Sequence, residues 1–65
     1  MNYEGLKNIN TRKEVAEYLG VTTKTIDREI ERGRLRAFRV GSRVRIGIEQ
    51  VREYIESQIG GNSEH

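Results

Sequence analysis

The sequence predicts a small, mainly α-helical domain that carries one β-hairpin, in the order helix, turn, helix, hairpin, helix. Three observations predict it. Apolar residues recur at helical spacing over 15–19, 26–30 and 48–59. Gly20 and Gly33 follow the first two of these stretches as helix stops. Between the second and third, Phe38-Arg39-Val40 and Arg43-Val44-Arg45-Ile46 flank a Gly41-Ser42 pair, two strand-like runs around a tight turn.

Tyr3 to Ile9 reads as a lead-in, with Ile9 packing under the first helix. Thr11-Arg12-Lys13-Glu14 fits a capping box, with Thr11 as N-cap and Glu14 reaching back to it. Val15, Ala16, Tyr18 and Leu19 form the inner stripe of a helix over 12–19, and Gly20 ends it. Thr22 is placed to cap a second helix, whose inner face is Ile26 and Ile30. Gly20, Val21 and Thr22 are all that separates the two helices, which forces a sharp corner.

Leu35 to Ile46 forms the hairpin. A two-residue Gly-Ser loop suits a type II′ turn, which pairs Val40 with Arg43, Arg39 with Val44, Phe38 with Arg45 and Ala37 with Ile46. Ala37, Val44 and Ile46 then face the core. Phe38, Val40, Arg43 and Arg45 face outward, with the Phe38 ring covered by the Arg45 stem. Ile48, Val51, Tyr54, Ile55 and Ile59 mark the inner face of a third helix, and Gly60-Gly61 stops it. The expected organisation is a single domain over 1–59 and a disordered polar tail over 60–65. Tyr18 and Tyr54 lie on the apolar sides of their helices and are expected at the core edge.

Composition narrows the function. A chain of 65 residues buries only about 60% of its unfolded surface, which leaves no room for an enclosed catalytic shell. There is no cysteine, and the single histidine, His65, is the last residue. No acid–base–nucleophile set and no metal-ligand spacing exists, so neither an enzyme nor a cofactor or small-molecule ligand is expected. No apolar run approaches the roughly 20 residues of a membrane span, and MNYEGLKNIN lacks the apolar stretch of a signal peptide. A cytoplasmic protein follows.

Charge distribution points further. Residues 28–45 hold seven arginines and no lysine, against Glu29 and Glu31, for a net +5. Residues 1–27 are neutral, and residues 46–65 are net −3. Arginine suits bidentate contact with phosphate and guanine. At about 100° per residue, Lys24 and Arg28 lie opposite Ile26 and Ile30, with Thr25 and Arg32 on one flank. An outer face of Lys24, Thr25, Arg28 and Arg32, begun by Thr22 and Thr23 at a positive helix end, suits entry into a DNA major groove. Lys24 and Arg28 are the expected base readers. On the hairpin, Arg39, Arg43 and Arg45 beside the small tip residues Gly41 and Ser42 are placed to grip the phosphate backbone or enter a minor groove. The expectation is a winged helix-turn-helix that binds double-stranded DNA, in a cytoplasmic protein that is nucleoid-associated when bound.

Thr11-x-x-Glu14-Val15-Ala16-Glu17-x-Leu19-Gly20-Val21-Thr22-x-x-Thr25-Ile26 resembles the helix-turn-helix of excisionase-type DNA-binding domains, relatives of the MerR-like winged helix. The resemblance continues through Gly33-x-Leu35-x-Ala37-x-Arg39-Val40-Gly41-x-Arg43-x-Arg45-Ile46 and covers roughly residues 9–57. It implies sequence-specific DNA binding as an excisionase, or recombination directionality factor. Such a protein bends DNA for a site-specific recombinase, beside neighbouring copies of itself. The pattern departs at Glu29, where an apolar residue is usual, so looser packing of the second helix is expected there.

The alternative within the same fold is a small transcriptional regulator, or the DNA-binding domain of a larger protein. The short length, with no effector domain or long dimerisation helix, favours the directionality factor. A single-stranded RNA module would want exposed aromatics on a sheet, and Phe38 alone is thin support.

Overall fold

The computed structural model describes residues 5–63, the last four as backbone alone. The elements are β1 (Ile9–Asn10), α1 (Arg12–Leu19), α2 (Thr23–Glu31), β2 (Phe38–Val40), β3 (Arg43–Gly47) and α3 (Ile48–Ser63). This is a winged helix-turn-helix: two helices joined at a tight corner, a hairpin wing, and a third helix.

Local chemistry places the corner. The Thr11 hydroxyl accepts from the Glu14 amide at 3.1 Å, and the Glu14 carboxylate accepts from the Thr11 amide at 2.8 Å, which closes the capping box. Gly20 takes the left-handed conformation, φ 74°, and donates back to the Ala16 and Glu17 carbonyls. A side chain there would be strained, which is why the chain turns at a glycine. Two residues later the Thr22 hydroxyl accepts from the Thr25 amide at 3.2 Å and starts α2.

The wing has the expected register, with Phe38 opposite Arg45, Arg39 opposite Val44 and Val40 opposite Arg43. Gly41 has φ 64° and Ser42 has no positive φ, the pattern of a type II′ turn rather than type I′. The ladder stops at Phe38. Ala37 and Ile46 are not paired, and Ile46 pairs with Asn10 of β1, which adds antiparallel to the other edge of β3. The sheet therefore has three strands in the order β1-β3-β2.

The first strand corrects the reading of the lead-in. Ile9 does not pack under α1; it is 54% exposed, and its neighbour Asn10 is buried at 1%. The Asn10 side chain is fully employed. It donates to the Lys7 carbonyl at 2.8 Å and to the Ile46 carbonyl at 3.4 Å, and accepts from the Lys7 amide at 2.9 Å. A buried amide with these partners holds the entering chain to the sheet. Gly5 lies against the Tyr18 ring, so close that an added Cβ would stand 2.9 Å from a ring carbon. Tyr3 lies outside the described residues.

The core is Val15 and Ala16 of α1, Ile26 of α2, Leu35, Ile46 of β3 and Val51 of α3. Full burial of each large aliphatic side chain contributes roughly 1.5–3 kcal/mol. Tyr54 and Ile55 pack at its edge, but Ile59 does not reach it and is 57% exposed. It stands instead at the rim of an apolar hollow beside Leu19 and Val21, which covers it only in part. Nor does Gly60-Gly61 stop the helix, whose backbone continues to Ser63. Glycine costs a helix about 1 kcal/mol relative to alanine without forbidding it. Residues 64–65 of the expected tail lie outside the described residues.

Candidate nucleic-acid interface

The outward face of α2 carries Lys24, Arg28 and Arg32, all exposed. Among the described residues none of the three takes part in an ion pair. Thr23 is exposed beside them at the start of the helix. Thr25 is half-buried, and its hydroxyl lies 3.1 Å from that of Thr22. These two threonines build the corner, and Thr25 turns toward an apolar hollow shared with Leu19, Val21, Ile55 and Ile59.

A notch of about 310 Å³ opens between the start of α1, the start of α2 and the wing. Thr11, Arg12, Lys13, Thr23, Ser42, Arg43, Val44 and Arg45 form its walls: four cations and no acid. Arg45 is anchored by a 2.8 Å bond from its guanidinium to the Val44 carbonyl. Arg43 is exposed and joins no ion pair among the described residues. Gly41 and Ser42 at the tip are exposed, so nothing bulky stands between the wing and a partner surface.

The sequence reading did not include Arg12 and Lys13 in this surface. A signal was present. Cations in the first turn of a helix oppose its macrodipole, at about 0.3–1 kcal/mol each. Two of them directly after an N-cap work against the helix and call for an anion from outside it, which Arg12 finds in Asp27.

Arg39 sits apart from Arg43 and Arg45. It pairs with Val44 across the ladder and therefore shares that residue's face of the wing. There it borders a second cavity of about 290 Å³ with Arg12, Asp27, Ile30, Glu31 and Val44. Two cations face two carboxylates, so this trough is neutral where the notch is strongly positive. Arg12 borders both, and its guanidinium donates to Asp27 at 2.9 Å.

Glu29 is not at a loosely packed position. It is buried at 8%, on the side of α2 that meets α3. Its carboxylate accepts from the Tyr54 hydroxyl at 3.2 Å and stands 3.8 Å from the Arg34 guanidinium. Burial raises the Tyr54 phenol above its ordinary range, and the Glu29 charge and the bond to it add to the rise. At the start of α1, the bond from the Thr11 amide lowers the Glu14 carboxyl, helped by Lys7 at 2.9 Å. Arg36 is exposed on the link to the wing.

Residues 11–59 match a family described as a helix-turn-helix domain, an excisionase-like group. The chain belongs to this family. The match begins at the N-cap of α1 and runs through the corner, the wing and most of α3. A helix-turn-helix domain of this kind is a DNA-binding unit and is typically non-enzymatic. No curated protein and no solved structure matches the chain. Among the described residues, no group of acidic or histidine side chains could hold a metal, and no helix is long and apolar enough to cross a membrane.

Proposed function

We propose that this helix-turn-helix domain binds double-stranded DNA sequence-specifically and acts as an excisionase, bending its site for a site-specific recombinase. The observation that carries DNA binding is the unpaired cationic face of α2 beside a notch that holds four cations and no acid. On this reading α2 enters the major groove. Arg28 and Lys24 meet base edges, with Arg32 on the flank, while Thr22, Thr23 and Thr25 hold the helix end toward the backbone. Arg43, Arg45 and the Gly41-Ser42 tip grip phosphate, with Arg39 farther along the wing.

The excisionase role draws support from the family and from interface size. A single module of this kind buries about 600–1,000 Å² on DNA, which limits the affinity of one copy. Useful occupancy then needs neighbours. The exposed acids of α3, Glu49, Glu53 and Glu56, complement the arginine wing of an adjacent copy. A row of wings along one face curves the duplex, at an elastic cost of order 1–6 kcal/mol per site.

Circular permutation of the bound site, with footprinting of its length, tests this role. Bending over several adjacent repeats is the expected result. A straight footprint on one palindrome overlapping a promoter assigns the domain to transcriptional regulation instead.

A further inference from the structure

We propose that Asp27 is a selectivity residue, whose carboxylate holds the Arg12 guanidinium and so withholds one cation from non-specific DNA. The inference rests on the DNA-binding reading above and concerns how that surface discriminates. Arg12 stands between the two cavities of the wing side. One of its nitrogens bonds Asp27 at 2.9 Å in the neutral trough, while its side chain also walls the positive notch. Both partners are about half exposed, at 45% and 49% of their side-chain surface.

That exposure decides what the pair can do. An exposed ion pair in water contributes little to stability. It is therefore a poor brace between α1 and α2, which Val15, Ala16 and Ile26 already hold together in the core. The same weakness makes it exchangeable. A phosphate in the notch offers Arg12 an equivalent charge, and the exchange proceeds once that phosphate lies within reach.

Reach depends on how deeply α2 is seated. When Lys24 and Arg28 find their bases, the backbone is drawn into the notch and Arg12 passes from Asp27 to phosphate. When they do not, α2 rides higher and Arg12 stays on its carboxylate. Glu31, one turn on from Asp27, keeps the trough balanced against Arg39. Cognate DNA thus receives one more cation than random DNA.

The test is a salt titration of the full chain on two short duplexes of equal length, each holding one copy. One is obtained by site selection from a random pool, the other is random sequence. For the wild type, the selected duplex should show a steeper slope of log K against log salt, by about 0.9. Asp27→Asn should steepen the random-duplex slope by about the same amount and tighten that binding roughly two- to five-fold near 0.1 M salt. Binding to the selected duplex should change little, so discrimination falls by the same factor. Glu17→Gln removes an equal charge from α1, at an exposed position bordering neither cavity, and should leave both slopes unchanged. In an Arg12→Ala background, Asp27→Asn should no longer alter the slope.

Equal slopes on the two duplexes for the wild type would overturn the proposal. So would an Asp27→Asn effect that survives loss of Arg12, or one that Glu17→Gln reproduces. If Asp27→Asn weakens only the selected duplex, Asp27 reads a base and the proposal is wrong. A wild-type chain that binds neither duplex overturns the DNA reading itself.

Discussion

The Tyr54 hydroxyl donates a 3.2 Å hydrogen bond to the Glu29 carboxylate, tying α3 to α2. A carboxylate buried at this position needs such partners, because a buried charge without one is costly. Tyr54→Phe should therefore destabilise the domain by about 1–3 kcal/mol. Glu29→Leu combined with Tyr54→Phe should recover much of that loss, since neither polar group is then stranded. Urea unfolding of the two single variants and the double variant measures the coupling; additive losses would show that the bond carries none.

The same contact sets an alkaline limit. The folded Tyr54 phenol titrates above its unfolded value of about 10.0, because burial and the Glu29 charge disfavour the phenolate. The stability linked to this shift is fully present below the unfolded value and is lost as pH rises through the folded one. Wild-type stability should fall more steeply above pH 10 than that of Tyr54→Phe. Glu14 acts in the opposite direction. Its lowered carboxyl contributes above its unfolded value of 4.5, and that contribution is lost as pH falls through the folded value. Thermal melts across both ranges, with Glu14→Gln as the acid control, check the two signs.

The notch and the trough predict different roles for neighbouring arginines. Arg43→Ala, Arg45→Ala and Lys13→Ala should each reduce the salt slope of duplex binding by about 0.9 and weaken all sequences alike. Arg39→Ala should change the slope much less, because Asp27 and Glu31 already balance its charge. Arg28→Ala should cost about 1–3 kcal/mol on a selected site and relax preference at one or two positions. Equilibrium titrations and repeated site selection separate the two classes. A uniform loss for Arg28→Ala would remove it from base readout.

In the lead-in, the buried amide and not the apolar residue holds the chain. Asn10→Ala strands the Lys7 amide and the Ile46 carbonyl and should destabilise by about 1–3 kcal/mol. Ile9→Thr, on the exposed side of β1, should stay within about 0.5 kcal/mol. Thermal denaturation of the two variants distinguishes them, and equal losses would contradict the arrangement of β1.

The sequence by itself determined what depends on near neighbours. The Thr11–Glu14 box, the Gly20 stop, the Thr22 cap, the wing register around Gly41-Ser42 and the cationic outer face of α2 each arise from residues within a few positions of one another. Their geometry follows from helix and turn rules, and spacing records it. Only the tertiary structure decided what depends on distant segments meeting. Asn10 reads as an ordinary turn residue until Ile46 lies beside it, 36 residues later. Glu29 reads as a flaw until Tyr54 arrives from 25 residues away. Ile59 keeps helical spacing but stays exposed at the rim of the hollow beside Leu19 and Val21. Arg12 and Lys13 belong to the notch only because the wing folds back over the start of α1. A polar or charged side chain shows the kind of partner it needs, and the folded chain decides which segment supplies it.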